Sequence, residues 1–232
     1  MNESLQAAYT GYAEAGALAE QRSRVLRNTY WLLALSLVPT VLGAWIGVTT
    51  GVVAQMGVGM SAVLFLGGAF AFIFAIEKTK NSSTGVAVLL GFTFFMGLML
   101  SRILAAVLGF SNGASLIMYA FGGTAAVFFA MASLATVVKR DLSNMGKFLF
   151  VGAIMLLVVG VINLFVQSSA LMLTLAVLAI GIFSAFMLYD VKRVLDGGET
   201  NYISATLAIY LDVYNVFQSL LALLGIFGGE RE

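Results

Sequence analysis

Histidine and cysteine are absent from the 232 residues, proline occurs once, and only 10% of the side chains are charged. Each scarcity closes a class of function. Without cysteine there is no disulfide, no thiol nucleophile and no thiolate metal site. Without histidine there is no imidazole ligand, no Ser-His triad and no imidazole pH switch. Any response to physiological pH therefore falls to carboxylates or amines in unusual surroundings. A net charge of +1 gives no electrostatic basis for binding nucleic acid. Soluble domains carry roughly 25% charged residues; this chain is instead 61% hydrophobic, with a mean hydropathy of +1.01. The composition is that of a polytopic membrane protein, with the lipid bilayer as its first partner.

A helix needs about 20 apolar residues to cross the hydrocarbon of a bilayer. Seven stretches qualify, at about 29–50, 56–76, 85–109, 115–138, 148–167, 170–191 and 202–227. The expected fold is all-α: seven transmembrane helices filling residues 26–232, preceded by a cytoplasmic N-terminal tail at residues 1–25. That tail is polar and small, and it lacks the early apolar core of a cleavable signal peptide, so the first helix is expected to be retained. It reads as a mobile, solvated tail with a surface helix near 13–22, or as a handle for a cytoplasmic partner. Only a few residues around Gln167, Ser168 and Ser169 separate the fifth and sixth spans, which predicts a tight antiparallel hairpin. No internal repeat is visible, so an inverted-repeat transporter is not supported.

Basic residues in short loops set orientation. Ten of the twelve Lys and Arg residues fall on the N-terminal side of the seven spans, from Arg22 to Arg193; Arg231 alone falls on the other, and Arg102 lies inside the third span. The N-terminus is predicted to be cytoplasmic and the C-terminus to lie on the far side of the membrane. Arg102 reads as snorkelling or as bound to nearby backbone, with a carboxylate partner as the alternative. Pro39 removes one backbone hydrogen bond from the first helix and predicts a kink there. Gly43 and Gly47, and likewise Gly181 and Ala185, have the spacing that lets helices approach closely in lipid. Asn163 and Gln167 share one face near the outer end of the fifth span, for an outer vestibule or for bonds between helices.

Two carboxylates stand out. Asp190 ends the apolar run of the sixth span, and Asp212 sits inside the seventh, about 16 Å from its start at 1.5 Å per residue. A charge at the bilayer centre costs about 2.5–3.5 kcal/mol on insertion scales, so such a residue has a partner or a task. Contact between the two requires the sixth helix to run past Lys192. Gly197 suits a left-handed C-cap there, and Thr200 or Asn201 the next N-cap. Along the seventh span Ala205, Ala208, Asp212, Asn215 and Ser219 recur at steps of three and four and form one small or polar stripe. That stripe belongs to the bundle interior, which makes the seventh helix central and marks Ala208, Asn215 and Ser219 as candidate pore-lining residues. Two carboxyls in contact in a low dielectric share one proton and titrate as a pair. The alternative is that both merely bind backbone or hydroxyl groups in a packed bundle. As oxygen donors without Cys or His, the pair suits a hard ion such as Ca²⁺, held weakly and transiently. Lys78 and Lys80, at the inner end of the second span, read as interfacial anchors or as cations that reach the aspartates.

Several stretches carry a resemblance: VLRNTY at 25–30, GGTAAVFF at 122–129, KRDLSNMGKFL at 139–149, LYDVKRVLDGGETNY at 188–202, GGETNYISAT at 197–206, and YLDVYNVFQSLLALLG at 210–225. Together they resemble the Bax inhibitor-1 (transmembrane Bax inhibitor motif) family, in its bacterial YccA-like branch. The resemblance covers nearly the whole chain after residue 25. It implies a seven-helix fold with a central last helix, a di-aspartyl centre that maps onto Asp190 and Asp212, and a pH-sensitive calcium leak. It also implies a basic latch at the inner end of the second helix. Thr79 stands at that place, so Lys78 or Lys80 would carry the latch. Members of the YccA-like branch are linked to the membrane protease FtsH as bound modulators.

Two functions follow as expectations: a calcium leak gated by a proton-sharing aspartate pair, or a non-conducting modulator bound to FtsH. No cofactor is expected beyond Ca²⁺ as a permeant ion. An enzyme is not expected, since the serines inside the spans have no histidine and no Ser-Lys or two-carboxylate protease motif is present.

Overall fold

The computed structural model describes the backbone of residues 3–230 and the side chains of residues 16–230. Seven helices and no strand occur among the described residues: α1 Glu3–Thr50, α2 Val58–Thr79, α3 Ser83–Leu108, α4 Gly113–Val137, α5 Ser143–Val166, α6 Ser169–Leu195 and α7 Tyr202–Gly228. Each holds a window long and apolar enough to cross a membrane. At 1.5 Å per residue, the 22 to 27 residues of α2–α7 reach about 33–41 Å, enough to span with some tilt. Large apolar side chains cover the outside, among them Trp31, Phe148 and Phe165, the last 84% exposed. Water would not tolerate that surface on a lone chain; lipid does.

Helix α7 is the axis. It packs against α1, α2, α3, α4 and α6, which bears out the central seventh helix. Helix α5 sits at the edge against α6 and has no buried residue. The α5–α6 link is as short as expected: Gln167 takes the left-handed C-cap conformation, the Asn163 side chain accepts from the Ser168 N–H at 3.0 Å, and Ser168 caps α6. Asn163 and Gln167 thus serve the turn itself rather than bonds between helices.

Helices α1 and α3 cross through glycine. A Cβ on Gly97 would sit 2.0 Å from the Thr40 carbonyl oxygen, and one on Gly43 would sit 2.2 Å from that of Phe94. The spacing of Gly43 and Gly47 therefore marks a close helix approach, as expected. Gly181 does not: it faces open space, as does Gly160. Helix α1 continues through Pro39, with the Thr40 hydroxyl donating to the Ser36 carbonyl at 2.8 Å.

The N-terminal segment departs from expectation. Residues from Glu3 onward form one helix with the first span, 48 residues in all and about 72 Å long. The cause is local: between Glu3 and Arg27 stand mostly Ala, Glu, Gln, Leu and Arg, strong helix formers, and no proline. An apolar window finds only the part that crosses lipid and misses the polar turns that continue it. The extension is also docked. Val25 packs with Val194 and Ala205, and Arg22 lies against Gly197.

Candidate functional site

The α6–α7 turn builds the site. Helix α6 runs past Lys192 to Leu195, as contact between the two acids requires. Gly197 then turns the chain at φ +81°, its N–H donating to the Val194 carbonyl, while the Gly198 N–H reaches the Arg193 carbonyl at 2.8 Å. Only glycine adopts this left-handed conformation without cost. Asn201 caps α7, accepting from the Ile203 and Ser204 N–H groups at 2.9 and 3.1 Å. Its amide also donates to the Lys80 carbonyl and the Asn81 side chain, both at 2.9 Å, and so ties this turn to the α2–α3 loop.

With the turn fixed, Asp190 of α6 and Asp212 of α7 come within side-chain hydrogen-bonding reach of each other. Asp212 is buried, with 4% of its surface exposed, and Asp190 is half-buried. No hydrogen-bond donor reaches Oδ2 of Asp212 among the described residues. Two ionised carboxylates in this contact would repel with little water to screen them, so the arrangement calls for a proton or a cation between them. Arg193 and Glu199 are the charged groups that act on Asp190, and they pair with each other at 3.4 Å. Glu199 is held in place by accepting from the Asn201 N–H at 2.9 Å. No cluster of three or more acidic side chains with metal-binding geometry occurs among the described residues. A cation at the pair would complete its shell with water or carbonyl oxygens.

Ala208, Asn215 and Ser219 are half-buried on the Asp212 side of α7, and the Asn215 amide donates to the Leu211 carbonyl at 2.7 Å. Lys78 and Lys80 are engaged away from the aspartates. The Lys78 ammonium lies 4.5 Å from the centre of the Phe74 ring, and Lys80 pairs with Glu77. Arg102 binds backbone, as one of its two readings had it: Nη1 donates to the Met56 carbonyl at 3.1 Å and to the Ser61 hydroxyl at 3.2 Å.

Sequence reasoning passed over Tyr210 and Tyr214, both buried in α7. The Tyr210 hydroxyl bonds the Thr40 hydroxyl at 2.9 Å and lies 3.4 Å from the Thr93 carbonyl; the Tyr214 hydroxyl donates to the Met96 carbonyl at 3.3 Å. Two tyrosines four apart in an apolar span were the available signal, because a phenol buried away from both interfaces needs a partner.

Comparison with known proteins agrees with this architecture. The family described as "Inhibitor of apoptosis-promoting Bax1" matches residues 22–229. A Pseudomonas aeruginosa protein is 39% identical over 222 residues, 94% of this chain and 97% of its own. A membrane protein of Vibrio cholerae is 37% identical over 214 residues, 90% of this chain and 92% of its own. The Escherichia coli protein named "Modulator of FtsH protease YccA" is 37% identical over 202 residues, 87% of this chain and 90% of its own. The Escherichia coli O6:H1 protein of the same identity and coverage is named "Inner membrane protein YccA". With seven apolar helices around a central α7 and a family match over nearly all of the folded chain, this multi-pass membrane protein belongs to the Bax inhibitor-1 family.

Proposed function

We propose that the chain is a proton-gated cation leak of the bacterial inner membrane, with Asp190 and Asp212 as its gate. The observation that carries this reading is the contact between the two carboxyls, one of them buried with an oxygen that no donor among the described residues reaches. One proton held between them joins α6 to α7. When it leaves, the two charges repel, and a cation or a separation of the helices relieves them. Hard oxygen ligands favour Ca²⁺, and two carboxylates alone hold it loosely enough for passage. Ala208, Asn215 and Ser219 continue the Asp212 face and are assigned to the path. Lys78 or Lys80 acts as a latch only after leaving Phe74 or Glu77. The bias of basic residues toward the turns at the α6–α7 end supports a cytoplasmic N-terminus and a periplasmic C-terminus.

The test is calcium flux from proteoliposomes across a range of pH. Asparagine at either position mimics the protonated acid, so Asp190→Asn and Asp212→Asn should each hold the flux at its acid-side level throughout. Wild-type pH dependence in both variants would overturn the gate.

A second reading is favoured by the name of the E. coli relative: modulation of FtsH. The helical extension of α1 supplies a rod beyond the span on which a partner can bind. Deleting residues 1–25 should then abolish co-purification with FtsH; retained binding would count against the extension as the contact.

A further inference from the structure

Helix α7 is bonded to α3 and its flanking loops along its whole length. At one end the Asn201 amide donates to the Lys80 carbonyl at 2.9 Å, and at the other the Asn112 amide donates to the Gly228 carbonyl at 2.6 Å. Between them stand the phenols of Tyr210 and Tyr214, which meet the Thr93 and Met96 carbonyls at 3.4 and 3.3 Å. The register is that of parallel neighbours, since the partners advance along both helices in the same order. The two rings pack against each other with centroids 6.2 Å apart, and Phe92 of α3 meets Tyr210 edge-on at 6.1 Å. Thr40 of α1 adds a fourth contact to Tyr210, at 2.9 Å.

Asp212 lies two positions from each tyrosine. At about 100° per residue it stands about 160° around α7 from both. The face that grips α1 and α3 is therefore nearly opposite the face that presents the acid. A rotation of α7 that Tyr210 and Tyr214 prevent would carry Asp212 out of line with Asp190. The end bonds at Asn201 and Gly228 fix where α7 starts and stops; the phenols lie within one turn of Asp212 and fix its azimuth there.

We propose that Tyr210 and Tyr214 are positioning residues for the acid pair: their bonds to α1 and α3 set the rotation of α7 that turns Asp212 toward Asp190. This rests on the proton-sharing gate proposed above. Phenylalanine at both positions keeps the rings and removes only the hydroxyls, so the bundle is expected to fold.

The experiment is infrared difference spectroscopy of the full chain in liposomes at one fixed pH. Subtraction of the Asp212→Asn spectrum isolates the Asp212 carboxyl band, and Asp190→Ala shows where that band lies without its partner. In Tyr210→Phe/Tyr214→Phe the band should move from its wild-type position toward that of Asp190→Ala. Phe92→Leu, which removes a ring and no hydrogen bond, should lower Tm and leave the band in place. Should the double variant misfold, Tyr214→Phe alone carries the test, with a smaller shift in the same sense. A wild-type band that Asp190→Ala leaves unmoved sinks the shared-proton gate and this inference with it. A partner-sensitive band that stays fixed in the tyrosine variants sinks this inference alone.

Discussion

Arg22 of α1 lies against the α carbon of Gly197 in the α6–α7 turn, in the space where any other residue would place a side chain: a Cβ there would sit 2.6 Å from the arginine Nε. The polar start of α1 and the turn that presents the acids thus form one contact. Gly197→Ala meets two obstacles. The left-handed backbone at φ +81° disfavours alanine by about 1–2 kcal/mol. The arginine must also swing away, which costs little because its end is flexible. Thermal unfolding in detergent should show a loss of about 1–2 kcal/mol. Amide exchange should rise between residues 17 and 28, where the dock is lost. Arg22→Ala should raise exchange in the same stretch with a smaller change in Tm.

Much of this arrangement was legible in the sequence because lipid imposes a simple rule. Every span must be long, apolar and helical, so seven runs of hydrophobic residues fixed seven helices to within a few residues at most ends. Asp190 and Asp212 were legible for the same reason, as the costly exceptions. Gly197 and Asn201 were readable from turn chemistry alone. The N-terminal helix was not, because its residues are polar and the docking that holds it uses single contacts such as Val25 on Val194. Nor were the roles of Tyr210 and Asn201 between helices. Those depend on which carbonyl of α3 or its loops lies opposite, and rotation about a helix axis is a property of the packed bundle.

Asn201 performs two tasks with one side chain. Its oxygen caps α7 through two N–H groups, and its nitrogen holds the Lys80 carbonyl and Asn81. Asn201→Asp keeps the cap and loses the bridge; Asn201→Ala loses both. Cap loss alone costs about 1 kcal/mol. Stability should therefore fall in the order wild type, Asp, Ala, with the Ala variant lower by about 2 kcal/mol once the bridging bonds are counted. Equal Tm values for wild type and Asn201→Asp would show that the bridge contributes nothing.

Arg102 is the one cation placed within a span away from the basic turns, and it uses one nitrogen to bind two acceptors at the α1–α2 end. Hydrogen bonds to charged groups contribute about 1.5–3 kcal/mol each, and less where the acceptor can turn to water. Arg102→Met keeps the stem and removes the donors. A loss of about 2 kcal/mol is expected, with faster amide exchange in residues 51–57. Unchanged exchange there would show that the loop is held by its own turns.

Asp141 opens α5. Its carboxylate accepts from the Ser143 hydroxyl at 2.5 Å and from the Ser143 N–H at 2.8 Å, and these bonds hold its carboxyl below the usual carboxylate range. A group whose folded-state pKa is depressed adds stability above its unfolded value, near 3.9, and loses it as pH falls through the lower folded value. Amide exchange at the first turn of α5 should therefore quicken below about pH 4. In Asp141→Asn that acid-dependent step should vanish.

Glycine gives the sharpest contrast, because the same substitution meets opposite surroundings in one chain. At Gly97 a Cβ would stand 2.0 Å from the Thr40 carbonyl oxygen, and at Gly43 2.2 Å from that of Phe94. Both obstacles are backbone within helices, so relief requires α1 and α3 to move apart. That separation would also pull Thr40 from the Tyr210 hydroxyl, now 2.9 Å away. Overpacking of this kind typically costs about 1–3 kcal/mol, and rigid backbone on both sides puts Gly97→Ala at the upper end. At Gly160 and Gly181 a Cβ meets nothing within 4 Å. There alanine gains up to about 1 kcal/mol of helix propensity in an aqueous reference. Gly97→Ala should therefore unfold well below wild type in a thermal melt while Gly181→Ala unfolds at or above it. If the two variants melt together, the α1–α3 crossing is looser than these distances allow, and the grip of Tyr210 on both helices loses its rigid base.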